Sequence, residues 1–221
     1  MSDQRLVIFD VDGTLVDSQV EIIAAMGMAF ASEGLSLPQR AAILSIVGLS
    51  LAEAIGRLAP DADARRRGRM VEAYKDAYVG LRAENKEYGP LFPGAREAID
   101  RLRARDDTLI AVATGKSRRG LDKVLERHGL EGVFHSEQVA DHHPSKPDPS
   151  MILTALNETS VRPHRAVMVG DTTFDMDMAR AAGIGTIGVP WGYHPAESLL
   201  PDLMIDDFTA LDAALDRLLD T

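Results

Sequence analysis

Leu6-Val7-Ile8-Phe9-Asp10-Val11-Asp12-Gly13-Thr14-Leu15 is the stretch that decides the fold. Four consecutive apolar residues, rich in β-branched types, are the pattern of a strand buried on both faces. Two carboxylates and a Gly-Thr turn follow at once. Two apart in an extended chain, Asp10 and Asp12 point to the same side. Negative charges held together at a strand end repel one another and are costly to desolvate, and a divalent cation is the usual compensation.

Outward from this strand the periodicity becomes helical. Val20, Ile23, Ala24, Met28 and Ala29 recur at helical spacing until Gly34 ends the run, and Met26, Met28, Ala29 and Phe30 read as core of that region. Pro38 is expected to open a second helix over 38–46. Gly48-Leu49-Ser50 is a break, with Ser50 as N-cap of a helix over 51–58. A long charged helix follows over 61–82, with Arg65-Arg66-Arg67 as an exposed face. Residues 18–86 therefore read as a helical bundle inserted after the first strand. From Pro93-Gly94 onward the pattern alternates. Strands are expected at 108–113, 133–139, 166–169, 186–189 and 203–205, and helices at 95–105, 118–128, 148–158, 174–182 and 208–219. Repeated βα units with short buried strands predict an α/β fold, a doubly wound parallel sheet built from residues 1–17 and 87–221.

Ligands of such sheets sit at the carboxyl ends of the strands. The first strand ends in Asp10 and Asp12, and the strand at 108–113 in Thr114-Gly115-Lys116. The strand at 166–169 ends in Gly170-Asp171, with Asp175 four residues on, and the loop after 133–139 carries Ser145-Lys146-Pro147. Three competing motifs fail on context. An EF-hand loop beginning at Asp10 would have Leu15 where glycine is needed, and a strand instead of a helix before it. Gly183-Ile-Gly185-Thr-Ile-Gly188 follows a helix and enters a strand, the reverse of a dinucleotide fingerprint. Gly115-Lys116-Ser117 lacks the first glycine of a phosphate loop, since Ile110 stands there.

Taken in order, Asp10-x-Asp12-Gly13-Thr14, Thr114-Gly115, Lys146-Pro147 and Gly170-Asp171-Thr172-Thr173-Phe174-Asp175 resemble the four motifs of the haloacid dehalogenase superfamily of phosphohydrolases. The resemblance covers the whole chain and is to the phosphoglycolate phosphatase group. It implies a Rossmann-like core with residues 18–86 as a mobile cap. A covalent aspartyl-phosphate splits phosphoester hydrolysis into two steps. Asp10 would be the nucleophile, and Asp12 the acid for the leaving oxygen and then the base for water. Mg²⁺ would be held by the side chains of Asp10 and Asp171 and, as the resemblance implies, by the Asp12 carbonyl, with Asp175 a more distant or water-mediated ligand. Thr114 and the Gly115 amide would hold phosphoryl oxygens, and Lys146 would neutralise transition-state charge. Lys116 is either a further substrate contact or a helix-start residue facing solvent. His142-His143 reads as a solvated loop, and Trp191-Gly192-Tyr193-His194 either borders the site or packs on a neighbouring helix.

Composition bounds the partners. The 221 residues carry a net charge of -10, which disfavours nucleic acid and anionic membranes. No apolar run approaches the ~18 residues of a membrane span. The absence of cysteine and of a charged-then-apolar leader is what a cytoplasmic protein would show. The expected partner is a small phosphorylated metabolite, and the expected assembly a monomer or homodimer. The alternatives are a β-phosphoglucomutase-like phosphosugar mutase and a silent binding module of the same fold. A mutase needs a cation in the cap for a distal phosphate; three residues after Gly48 stands Leu51, with Arg57 two helical turns on. A dehalogenase would not need Asp12, and a phosphonate-cleaving enzyme would need a cap lysine, where only Lys75 and Lys86 are found.

Overall fold

The structure, a computed structural model, describes residues 4–84 and 89–219. In chain order the elements are β1 (Arg5–Phe9), α1 (Gln19–Ser32), α2 (Arg40–Leu44), α3 (Leu51–Leu58), α4 (Ala64–Glu84), α5 (Ala95–Arg103), β2 (Thr108–Thr114), α6 (Arg118–His128), β3 (Ser136–Val139), α7 (Ser150–Thr159), β4 (Ala166–Gly170), α8 (Thr173–Ala182), β5 (Gly185–Gly188), α9 (Ala196–Leu199), β6 (Leu203–Met204) and α10 (Leu211–Leu219). The six strands form one parallel sheet of order β3-β2-β1-β4-β5-β6. This is the doubly wound α/β architecture, with β1 at its centre and the order reversing there.

The period of two along each strand builds two cores. Val7, Phe9, Ile110, Val112, Val167 and Val169 face one side and pack with α5, α6 and α10. Leu6, Ile8, Ala111, Ala113, Ala166 and Met168 face the other and pack with α7 and α8. Burial on both faces explains why these strands read as continuous apolar runs.

Helices α1 to α4 enclose a third cluster around Met26, Phe30, Ile43, Ile55 and Met70. The face of α1 differs from the one its spacing predicts. It buries Ile22, Ala25, Met26, Ala29 and Phe30, while Val20 and Met28 are 57% and 53% exposed. The helix is apolar on most sides, so its own periodicity does not select a face; packing against α4 does. The second helix is also shorter than predicted, starting at Arg40 rather than Pro38. Short i→i+3 bonds from Ile46 to Ile43, Val47 to Leu44 and Leu49 to Ile46 replace its last turn. They deliver the chain to Gly48, whose φ of +99° suits glycine. Ser50 precedes α3 without a side-chain cap; its amide donates instead to Ser145 Oγ in the core, at 2.8 Å. Arg66 and Arg67 are not a free solvated face: Arg66 pairs with Glu33, and Arg67 donates to the Ala59 and Pro60 carbonyls.

The chain passes between the bundle and the sheet at two adjacent points. The Asp17 amide donates to the Pro90 carbonyl and the Phe92 amide to the Leu15 carbonyl, both at 2.9 Å. The expected boundary at 86/87 and Lys86 lie outside the described residues. Among the described residues no helix is long and apolar enough to cross a membrane.

Candidate active site

Asp10 follows β1 directly and is buried beneath the cleft at the strand ends. Its amide donates to the Val169 carbonyl of β4, which fixes the backbone there. Asp171, at the end of β4, has both oxygens engaged: Oδ1 accepts from the Thr14 hydroxyl and Oδ2 from the Tyr193 amide, each at 2.8 Å. Gly13, at φ +86°, leaves room for that carboxylate; a Cβ there would lie 2.2 Å from Asp171 Oδ2. Asp175 sits in the first turn of α8 and closes a capping box with Thr172. Its Oδ2 accepts from the Thr172 amide and hydroxyl, and its Oδ1 lies 2.6 Å from Lys146 Nζ. Asp10, Asp171 and Asp175 each bring an oxygen within 4.8 Å of the others, a buried all-oxygen set suited to a hard divalent cation.

Lys146 is buried and serves two of these carboxylates, with Nζ 2.9 Å from Asp10 Oδ1 as well. Burial opposes its charge, but Asp10 and Asp175 outweigh it and hold its pKa above the usual lysine range. The second oxygen of Asp10, Oδ2, is buried with no hydrogen-bond partner among the described residues. Burial pushes Asp10 up to about 7; Lys146 pulls it down, while Asp175 and Asp12 push it further up. Asp171 is raised well above the carboxylate range, again by burial first and then by Asp10 and Asp175. One positive group among three buried carboxylates leaves excess negative charge, which a proton or a metal ion would relieve.

This carries a pH signature. Unfolded, Asp10 titrates near ~3.9. Between there and about 7 the folded chain holds the extra proton, so stability falls as pH rises through that window. In chelator, the melting temperature is expected to drop by at least ~2 °C from pH 5.5 to 8. A tenfold change in proton affinity is worth about 1.4 kcal/mol, and in a chain of this size each kcal/mol moves the melting temperature by roughly 2–4 °C. Magnesium should remove the drop. A flat profile in chelator would show that the carboxylates are not strained.

Thr114 ends β2 and is buried; its Oγ1 accepts from the Lys116 amide at 3.2 Å, which leaves the hydroxyl proton free to point elsewhere. Gly115 lies under the Gly48–Ser50 turn, where a Cβ would come within 2.6 Å of the Gly48 carbonyl and 2.5 Å of the Leu49 carbonyl. No other residue permits that approach of bundle to sheet. Lys116 does not face solvent. Its side chain is 8% exposed, with Nζ 2.8 Å from Asp12 Oδ1 and 3.2 Å from the Tyr78 hydroxyl of α4. The Ser18 hydroxyl donates to the same Asp12 oxygen.

Ser18 and Tyr193 carry no sequence motif that marks them as site residues. The Tyr193 hydroxyl accepts from the Ser18 amide at 2.8 Å while its own amide holds Asp171. The loop after β5 therefore borders the site. Trp191 packs between Phe92 and Phe208 and donates to the Thr14 carbonyl at 3.1 Å. His194 meets the Thr173 amide and the Ser45 carbonyl of the bundle. The one signal for this loop in the sequence is its position after a strand end. His143 is tied to Ser150 and Gln138, a structural loop contact. Arg57 pairs with Glu53 and lies over the Phe174 ring, 5.4 Å from its centroid.

Comparison with known proteins bears on the family and the fold. The profile of the family described as haloacid dehalogenase-like hydrolase matches residues 7–189. The Dickeya dadantii protein named "Probable phosphatase IndB" is 36% identical over 220 residues, covering 97% of this chain and 94% of the relative. An Agrobacterium fabrum phosphoglycolate phosphatase is 34% identical, covering 95% and 91%. Among solved structures, a predicted phosphoglycolate phosphatase from Haemophilus somnus superposes with a TM-score of 0.84 at 22% identity, over 97% and 99% of the two chains. A β-phosphoglucomutase from Clostridium difficile superposes with a TM-score of 0.82 at 20% identity, over the full length of both. At those identities the structural likeness speaks for the fold.

Proposed function

Because the chain belongs to the haloacid dehalogenase-like hydrolases, an enzyme family, we propose that it is a Mg²⁺-dependent phosphomonoesterase working through an aspartyl-phosphate on Asp10. The observation that carries this reading is the Asp10 carboxylate buried beneath the strand-end cleft, its Oδ1 ion-paired with Lys146 and its Oδ2 without a hydrogen-bond partner among the described residues. An orphaned buried carboxylate oxygen is costly unless it has a task. The first candidate substrate is a small phosphorylated metabolite such as 2-phosphoglycolate, the substrate in the names of several relatives.

In the first step Asp10 Oδ2 attacks phosphorus, the ester P–O bond breaks, and Asp12 gives its proton to the departing alkoxide. In the second, Asp12 takes a proton from water, which attacks the same phosphorus and frees Asp10. Ser18 and Lys116 both hold Oδ1 of Asp12, so Oδ2 is the oxygen left to carry the proton. The Thr114 hydroxyl, the Gly115 amide and Lys116 bind phosphoryl oxygens, and Lys146 offsets the charge that builds on them. Residues 18–86 act as the cap over the core of 1–17 and 87–221, with the paired crossings near Asp17 and Pro90 as its hinge.

Asp10 and Asp171, with the Asp12 carbonyl, would hold Mg²⁺, which when bound neutralises the phosphoryl group as Asp10 approaches. Asp175 has both oxygens committed to Lys146 and Thr172, so it would act through water or through Lys146. Asp171→Ala is therefore expected to weaken Mg²⁺ binding at least ~10-fold, the loss of one carboxylate ligand, and Asp175→Ala much less. Calorimetric titration decides it, and the reverse order would exchange their roles. Phosphate release from 2-phosphoglycolate and p-nitrophenyl phosphate, with Mg²⁺ and with chelator, tests the reading as a whole. No release from either with saturating Mg²⁺ would favour a silent module. The mutase alternative gains nothing from Arg57, which is engaged by Glu53 and Phe174.

A further inference from the structure

The bundle and the core enclose a cleft of about 1060 Å³ that begins at Asp12, Gly115 and Lys116 and runs outward between α4 and α6. Pockets for drug-sized ligands span roughly 300–1,000 Å³, so this one lies just above that range. The leaving group of 2-phosphoglycolate has two carbons and would leave most of it wet.

The walls differ in chemistry: α6 brings Arg119, Lys123, Glu126 and Arg127 to one side, and α4 an apolar face to the other. Leu51, Val71, Tyr74 and Tyr78 are only half-buried and Val79 is 44% exposed, and all five line the cleft. Tyr74 and Tyr78 stack on each other, centroids 5.7 Å apart and planes 18° from parallel, so they stand as one rigid aromatic panel. Tyr78 also ties the panel to the reaction centre, since its hydroxyl accepts from Lys116, the residue paired with Asp12. Apolar side chains left incompletely covered, in a cleft continuous with the phosphate site, are the surface a substrate would cover.

From this the geometry points to a substrate class: phosphate monoesters of an alcohol with an apolar, ring-sized body, seated against Val71, Tyr74 and Tyr78 while the phosphate lies at Asp10. This rests on the phosphomonoesterase reading and narrows it. The α4 panel contributes binding that a glycolate-sized ester cannot reach.

The test is a series of alkyl esters whose alcohols leave with similar basicity: ethyl, benzyl and 2-naphthylmethyl phosphate, with 2-phosphoglycolate alongside, all with saturating Mg²⁺. The expected result is a rise in kcat/KM of at least about 30-fold from ethyl to 2-naphthylmethyl phosphate, from burial of the rings. Tyr74→Ala and Val71→Asp should each narrow that ratio at least ~5-fold, the loss of apolar contact. Titration with 2-naphthylmethylphosphonate, which cannot be hydrolysed, should show tighter binding than ethylphosphonate and a negative heat-capacity change. Phosphate release that is flat across the series, or fastest from 2-phosphoglycolate, would overturn the inference and leave the phosphomonoesterase reading standing. A ratio unmoved by both variants would overturn it as well. No release from any ester would overturn that reading, and this inference with it.

Discussion

Asp10→Asn is expected to lower turnover by about 10⁴-fold or more, roughly 5.4 kcal/mol in barrier, while the fold persists. The amide has nearly the carboxylate's shape but is not a nucleophile toward phosphorus. Its stability effect should run the other way. Burial raises Asp10 to about 7 while the unfolded group titrates at ~3.9, so only below that lower value is the wild-type group neutral in both states, as asparagine always is. Above pH 7 the wild type carries a charge that Asp175 and Asp12 oppose, and the variant does not. In chelator, the variant's melting temperature should therefore match the wild type only at ~pH 3.5, exceed it already at pH 5.5, and exceed it by more at pH 8. Retention of even a tenth of the activity would remove Asp10 from the nucleophile's role. A variant less stable at pH 8 would show that its pairing with Lys146 outweighs the repulsion.

The parts of the site that were legible in the sequence share one physical reason. In a parallel sheet the carboxyl end of each strand opens onto the same edge, so Asp10, Thr114 and Asp171 could be brought together from strand positions alone. Lys146 and Asp175 followed because the loop and the helix start come directly after such strands. What sequence reasoning left open or missed depends on paths between elements. Lys116 reaches Asp12 only because α4 lays Tyr78 beside it and closes off solvent. Ser18 and Tyr193 meet across 175 residues of chain, a contact that no local pattern encodes. The face of α1 was misread for a related reason: a helix apolar on several sides takes its orientation from its neighbour, so Met28 became surface and Ala25 core. The expected exposed run at Arg65-Arg66-Arg67 holds for Arg65 but not for its neighbours, since Glu33 comes to Arg66 from beyond the end of α1 and Arg67 turns to the Ala59 and Pro60 carbonyls.

Lys146→Met is expected to destabilise the metal-free protein by about 3–5 kcal/mol, the cost of breaking a buried ion pair from one side. Methionine can fill the space of the lysine stem, so little of this loss comes from packing. What remains is electrostatic: Asp10, Asp171 and Asp175 would lie within one buried cluster with no cation among them. Lysine is charged throughout the neutral range and its pKa here is raised further, so its stabilisation is present at pH 7 and would be lost only on strongly alkaline titration. The carboxylates set the variant's own pH dependence. At acid pH they take up protons and the deficit shrinks; at pH 8 it is largest. The companion variant Lys146→Met/Asp175→Asn removes one of the charges Lys146 serves and should recover much of the lost stability, which a thermal-denaturation cycle over the four proteins reads as a coupling between the two sites. Turnover should not recover with it. Asp175 offers the substrate nothing that Lys146 offers, and a phosphoryl group developing charge beside Asp10 would still lack its cation. If the double variant regained activity along with stability, Lys146 would matter only for holding the carboxylates together, and the charge on the transferring phosphoryl group would have to be met by the metal, the Thr114–Gly115 donors and Lys116.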